Sequence, residues 1–244
     1  MTDLFLCDID GCLSEPFEPY DLDALGRVRA AIHAPGAVPF ALLTGRAFPY
    51  AEAMSQLLGL TAPAAFEAGA GAFLRAERRV VWHPALTRET EASLREVRAW
   101  FFDTLLPENP ALVFDYGKRV QVGVLGATVD AVDAAADRTR AFVATLGAPL
   151  VVFTTPVSVD VVPAALTKAT ALDWLADLTG VPLDRMAFIG DTEGDRAALL
   201  RVGRAFAPAN AAPEIRALPG VTVTDGAHAA GVLAAYTACH AARP

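Results

Sequence analysis

The chain has 244 residues, 54% of them hydrophobic, with a mean hydropathy of +0.36; it can bury one large core or two modest ones and is too apolar for a disordered polymer. A formal charge of −8 argues against nucleic acid and anionic membrane as partners, because both reward basic surfaces, and no uninterrupted apolar run reaches the ~18 residues of a membrane span. Cys7, Cys12 and Cys239 show neither disulfide nor zinc spacing, and the N-terminus carries no basic leader, so a reducing, cytoplasmic compartment is expected.

The elements follow a clear rhythm at first. Residues 4–9, apolar but for Asp8, read as a short parallel strand covered on both faces. Leu22, Leu25, Val28 and Ile32 recur at helical spacing until "APG" stops the helix at 34–36. Residues 38–43 form a second buried strand ending in "TGR"; Met54, Leu57 and Leu58 mark another helix, and "FEAGAG" at 66–71 is a strand running into a glycine-rich turn. This βαβαβ order predicts a doubly wound, Rossmann-like parallel sheet.

The middle changes character. A strand at 80–82, a helix at 87–105, the adjacent strands "ALVFDYG" and "RVQVGVL", a helix at 129–146 and the strand "LVVF" read as β-α-β-β-α-β, a small α+β unit with an antiparallel sheet. The predicted organisation is a core of residues 1–78 and 158–244 with an inserted domain at 79–157, joined by hinges near 77–80 and 154–160. After "VSVDVV" the βα alternation returns, with helices at 166–178 and around 196–200, strands at 186–189 and 205–207, and a final helix from about 227 to 239.

In open α/β sheets, ligands bind beyond the carboxyl ends of the strands. Three such ends carry polar groups: Asp8 and Asp10 in "DIDG", Thr44, and Asp191 and Asp195 in "GDTEGD". Carboxylates converging in one crevice repel one another unless a cation sits among them, and an all-oxygen cluster suits Mg²⁺. Each motif also has a plain structural explanation: a solvated aspartate-glycine turn for "DIDG" and ordinary helix capping for Thr44, Asp191 and Asp195. Against the first, Asp8 directly follows "LFLC" in a strand that reads as central, where an unpartnered carboxylate is costly. Lys118 and Lys168 are the only lysines, and Lys168 stands at a helix start, where the macrodipole disfavours a cation. It reads as placed to neutralise an anion.

The ordered set "DIDG" at 8–11, "LLTGR" at 42–46, "TK" at 167–168 and "GDTEGD" at 190–195 resembles the haloacid dehalogenase superfamily of phosphohydrolases. The insertion between Thr44 and Lys168 resembles the C2-type cap of that family, of the C2B kind, and the C-terminal stretch is similar to archaeal-type phosphoglycolate and sugar-phosphate phosphatases. The resemblance implies that Asp8 is the nucleophile and Asp10 the acid and base. It implies a Mg²⁺ ion held by Asp8, Asp10 (through its carbonyl), Asp191 and Asp195, and a phosphoryl group bound by Thr44, Gly45, Lys168 and Asn210. Cys12, Ala68 and Gly194 depart from the family pattern, which places threonine, asparagine and asparagine there.

A Mg²⁺-dependent phosphatase acting on a small phosphorylated molecule is therefore expected. A phosphomutase with the same aspartyl phosphate, or a non-catalytic phospholigand-binding protein, are the alternatives. Substrate choice is assigned to the cap, where Arg119 or Lys118 is expected to meet a second anionic group. The sequence says nothing of oligomeric state.

Overall fold

The computed structural model describes residues 1–241. It divides into two compact units, residues 1–81 with 167–244 and residues 82–166.

The first unit is built on an eight-stranded sheet. Its strands and helices run β1 (Leu4–Cys7), α1 (Leu22–Ile32), β2 (Phe40–Leu43), α2 (Phe48–Leu58), β3 (Ala64–Phe66), β4 (Gly71–Leu74) and β5 (Arg79–Trp82). The second unit supplies α3 (Arg88–Trp100), a π-helical turn leading into the short α4 (Leu106–Glu108), β6 (Leu112–Phe114), β7 (Val122–Gly126), α5 (Val129–Thr145), β8 (Leu150–Thr155) and β9 (Ser158–Pro163). The chain then returns with α6 (Lys168–Thr179), β10 (Met186–Ile189), α7 (Glu193–Leu199), β11 (Arg204–Ala207), α8 (Pro213–Arg216), β12 (Val221–Val223) and α9 (His228–Ala241).

The sheet order is β12-β11-β10-β1-β2-β3-β4-β5, parallel from β12 through β3, with β4 antiparallel to β3. Alternation explains why β1 is apolar at every position. Phe5 and Cys7 pack on one face with Leu25, Val28, Met54, Leu58, Val232 and Tyr236. Leu4 and Leu6 pack on the other with Leu172, Leu175, Ala198 and Leu199. Helices thus cover both faces, as a doubly wound sheet requires. Chain order reverses at β1, which has β2 on one side and β10 on the other, so the ends of β1 and β10 flank the switch point where such sheets bind ligands.

The second unit is a four-stranded antiparallel sheet, β6-β7-β9-β8. Leu94, Val97 and Phe101 of the first helical stretch and Val132, Ala135, Ala136 and Val143 of α5 are buried with Val122, Val124, Val159 and Val161 of the sheet. Two predicted details change. The strand at 80–82, assigned to the insertion, lies at the edge of the large sheet, and residues 158–163, assigned to the core, form β9 and pair between β7 and β8. The compact unit therefore ends at 166 rather than 157, and its order is α-β-β-α-β-β. A β8–β9 hairpin closed by the short turn at 155–158 is the local cause: "VSVDVV" alternates like any half-buried strand, and only its partners reveal which sheet it joins.

Candidate active site

The turn after β1 is tight. The Ile9 carbonyl accepts from the backbone N–H groups of Cys12, Leu13 and Ser14, and Gly11 N–H donates to Ser14 O. Gly11 has φ +71°, and a Cβ there would lie 1.8 Å from Asp191 Oδ2. Glycine is thus required twice over, for the left-handed backbone and for the carboxylate lying against it. Gly11→Ala is expected to lower stability by about 2 kcal/mol or more and to displace Asp191, which a thermal melt would read as a reduced Tm.

Behind that turn four of the predicted charged residues converge, Asp8, Lys168, Asp191 and Asp195, all of them in the first unit. Lys168 Nζ donates to Asp8 Oδ2 at 2.6 Å and to Asp195 Oδ1 at 2.6 Å. Asp8 Oδ1 accepts from its neighbour Ile9 N–H at 2.7 Å. Asp195 Oδ2 takes the N–H groups of Asp191 and Thr192, each at 3.1 Å, and the Thr192 hydroxyl at 3.2 Å. The helix-cap explanation of Asp195 is therefore correct, and so is its membership of the charged cluster: one oxygen caps α7, the other holds Lys168. Carboxylate oxygens of Asp8, Asp191 and Asp195 lie within 4.8 Å of one another.

This crowding is electrostatically unfavourable as it stands. Burial, reinforced by Asp195 and opposed by Lys168, raises Asp8 to about 6. Burial, with Asp8 and Asp195 adding to it, raises Asp191 to about 8. For Lys168, burial acts downward, but Asp195 and Asp8 outweigh it and hold the ammonium protonated well above its usual range. Fully ionised, three carboxylates around one ammonium would carry a double negative charge, and a divalent cation is what would balance it.

Asp10 is set apart from that cluster. Arg46 grips it with both arms of its guanidinium, Nε to Oδ2 at 2.5 Å and Nη2 to Oδ1 at 2.7 Å. Arg46 stood in the quoted "LLTGR" without a role. The available signal was its place two residues beyond Thr44, at the end of the strand beside β1. Thr44 is fully buried; its N–H donates to Ala65 O, and its hydroxyl accepts from Arg46 N–H at 3.2 Å. Gly45 lies beside open space, with nothing within 4 Å of an added Cβ.

Asn210, expected on the phosphoryl group, is occupied otherwise. Its Nδ2 donates to Gly11 O at 2.8 Å and its Oδ1 accepts from His228 N–H at 2.9 Å, so it ties the turn after β1 to the start of α9. In the second unit, Lys118 Nζ donates to Asp160 Oδ1 at 2.8 Å, and Arg119 pairs with Glu91 at 2.6 Å and lies over the Trp82 ring at 4.4 Å. The three departures from the family pattern have local consequences. Cys12 Sγ lies 3.9 Å from Asp191 Oδ1, standing where a hydroxyl would be a stronger donor. Ala68 has φ +55°, a left-handed position that asparagine tolerates better than alanine. Gly194 is exposed and leaves every hydrogen bond of Asp195 in place.

Residues 126–235 match the family model of haloacid dehalogenase-like hydrolases. The chain is 26% identical over 228 residues to a phosphoglycolate phosphatase of Methanothermobacter thermautotrophicus, covering 92% of this chain and 93% of the relative. It is 28% identical over 243 residues to one of Natronomonas pharaonis, with 93% of each covered. Among solved structures, Thermoplasma acidophilum 0175 superposes with a TM-score of 0.74 at 20% identity, and the sucrose-phosphatase of Synechocystis sp. PCC6803 with 0.71 at 17%, each over 98% of both chains. Fold, motif order and relatives agree: the chain is similar to the haloacid dehalogenase superfamily, and these likenesses support a hydrolase of the phosphatase type.

Proposed function

We propose that the protein hydrolyses a small phosphomonoester through an aspartyl phosphate on Asp8, with phosphoglycolate and sugar phosphates as the first substrates to examine. The observation that carries this reading is the buried Asp8–Lys168–Asp195 bridge with Asp191 beside it. It is an expensive arrangement in the folded chain and is suited to a phosphoryl group with its cation.

The donor set fits Mg²⁺: it is all oxygen, it crowds three carboxyl groups together, and burial, reinforced by Asp8 and Asp195, raises Asp191 to about 8, a penalty that a cation would relieve. Asp8, Asp191 and the Asp10 carbonyl would hold the ion, with Asp195 behind them. Bound there, Mg²⁺ would neutralise charge on the phosphoryl oxygens and lower the repulsion felt by an incoming carboxylate. Asp8 is aligned by Lys168 and Ile9 N–H. One of its oxygens forms a bond to phosphorus while the ester P–O bond breaks, and Asp10 gives its proton to the departing alkoxide. Asp10 then takes a proton from water as the water oxygen bonds to phosphorus and the Asp8–phosphorus bond breaks, regenerating the free carboxylate. Lys168, with Thr44 and the open backbone at Gly45, would offset charge on the phosphoryl oxygens. In the second unit we assign a C2-type cap. The three cysteines, buried and free, support a reducing, cytoplasmic setting.

Purified protein with Mg²⁺ is expected to release inorganic phosphate from at least one member of a panel of phosphoglycolate, hexose phosphates, sucrose phosphate and p-nitrophenyl phosphate. Chelation with EDTA should abolish release, and added Mg²⁺ should restore it. Absence of turnover across the panel rejects the reading. Stability offers a second readout. Asp8 and Asp191 have folded-state values of about 6 and about 8, above the 3.8 of a free side chain. Between those limits the folded protein binds more protons than the unfolded chain, so metal-free stability declines as pH rises from about 4 to about 8. The Tm in EDTA should therefore fall across that window by about 5 °C or more, and Mg²⁺ should raise it most at the alkaline end.

A further inference from the structure

We propose that Arg46 is the positioning residue for Asp10 in leaving-group protonation, and that Phe17 and Tyr50 exist at this rim to hold Arg46 in place; the inference rests on the phosphatase reading above. Asp10 follows the strand by three residues, in a turn, and its side chain is 28% exposed. A carboxylate so placed has several rotamers open to it, and an acid that must meet one leaving oxygen cannot be left to sample them. Lys168 does not serve it, because its ammonium is engaged by Asp8 and Asp195. Arg46 does: two hydrogen bonds from one planar guanidinium fix both the position and the plane of the carboxylate, which a lysine cannot do.

The surroundings of Arg46 are built as well. Its guanidinium lies 4.6 Å from the Tyr50 ring centre and 5.4 Å from that of Phe17, both within cation–π range. The Tyr20 hydroxyl donates to the Tyr50 hydroxyl and steadies that ring. Phe17 has φ +65° and is 73% exposed. A bulky residue in the left-handed region, with its ring in solvent, is strained without any return from burial, and the contact it gains is the one with Arg46. The two cations thus divide the site, Lys168 with the nucleophile and Arg46 with the acid. During transfer one Asp10 oxygen carries the proton to the alkoxide while the other stays on the guanidinium.

The test separates positioning from a general structural role by the leaving group. An alkyl phosphomonoester expels an alkoxide that needs the Asp10 proton, whereas p-nitrophenyl phosphate expels a phenolate that leaves without it. Arg46→Ala is expected to lower kcat about 10²-fold on the alkyl ester, in the range of a lost general acid, and less than about tenfold on p-nitrophenyl phosphate. Arg46→Lys, which keeps the charge without the fork, should recover only part of the loss, and Phe17→Ala should show the same substrate split at smaller size. In an Asp10→Asn background, Arg46→Ala should add little, because the two act as one unit. Equal losses on both esters, full recovery with lysine, or additivity with Asp10→Asn would each overturn the proposal. A wild-type protein that turns over neither ester overturns the phosphatase reading itself, an outcome distinct from these.

Discussion

Asp8→Asn is expected to remove phosphatase turnover altogether, by at least about 10⁴-fold, because a carboxamide cannot form the acyl phosphate. The argument depends on the fold surviving, and the electrostatics say that it will. Asp8 is raised to about 6 chiefly by burial, so at pH 8 its ionised form is worse accommodated in the folded protein than in the unfolded chain. Asparagine is nearly isosteric and uncharged, and Lys168 keeps Asp195 at 2.6 Å. In EDTA at pH 8 the variant should therefore melt no lower than the wild type. An inactive variant with an unchanged or higher Tm assigns the loss to chemistry. Residual turnover above a few per cent would remove Asp8 from the role of nucleophile.

Lys168→Met should combine the largest stability loss with a loss of activity. The Lys168 side chain is 9% exposed, and its ammonium bridges Asp8 and Asp195, whose side chains are 8% and 0% exposed. Methionine retains much of the side-chain volume but leaves those charges unpaired, a change that costs about 3–5 kcal/mol for buried ion pairs. The sign with pH is fixed by the same groups. Lys168 acts to lower Asp8 and Asp191, so without it both rise further, and the folded variant is favoured where they are protonated. The deficit should be smallest near pH 5 and grow toward pH 8, as followed by urea denaturation at each pH. A deficit independent of pH would mean that packing, rather than charge, is what Lys168 supplies. Activity should fall with it, since the phosphoryl oxygens lose their fixed cation.

Legibility differed from residue to residue. Asp8, Asp191, Asp195 and Lys168 were readable because each sits at a strand end or helix start, where local pattern locates it, and the cluster they form follows from the parallel sheet. Asn210 was named only through the family resemblance, and its hydrogen bonds to Gly11 O and His228 N–H depend on how the last helix begins. Arg46 was within the quoted motif, and nothing in the motif names its partner. Lys118 and Arg119 lie in the second unit, and their ion pairs with Asp160 and Glu91 come from neighbouring elements that a hairpin pattern does not reveal.

By itself the sequence determined the alternating fold and the ordered set of carboxylates with one lysine, because apolar runs, helical spacing and strand ends are local properties of the chain. Only the tertiary structure decided that residues 158–163 pair inside the small sheet, that Asp10 belongs to Arg46 and that Asp195 serves α7 and Lys168 at once. These are choices of partner between groups distant in sequence, as with Lys168 and Asp8 at a separation of 160 residues. A one-dimensional pattern specifies which face a side chain is on; which group it meets there is fixed by sheet order and packing.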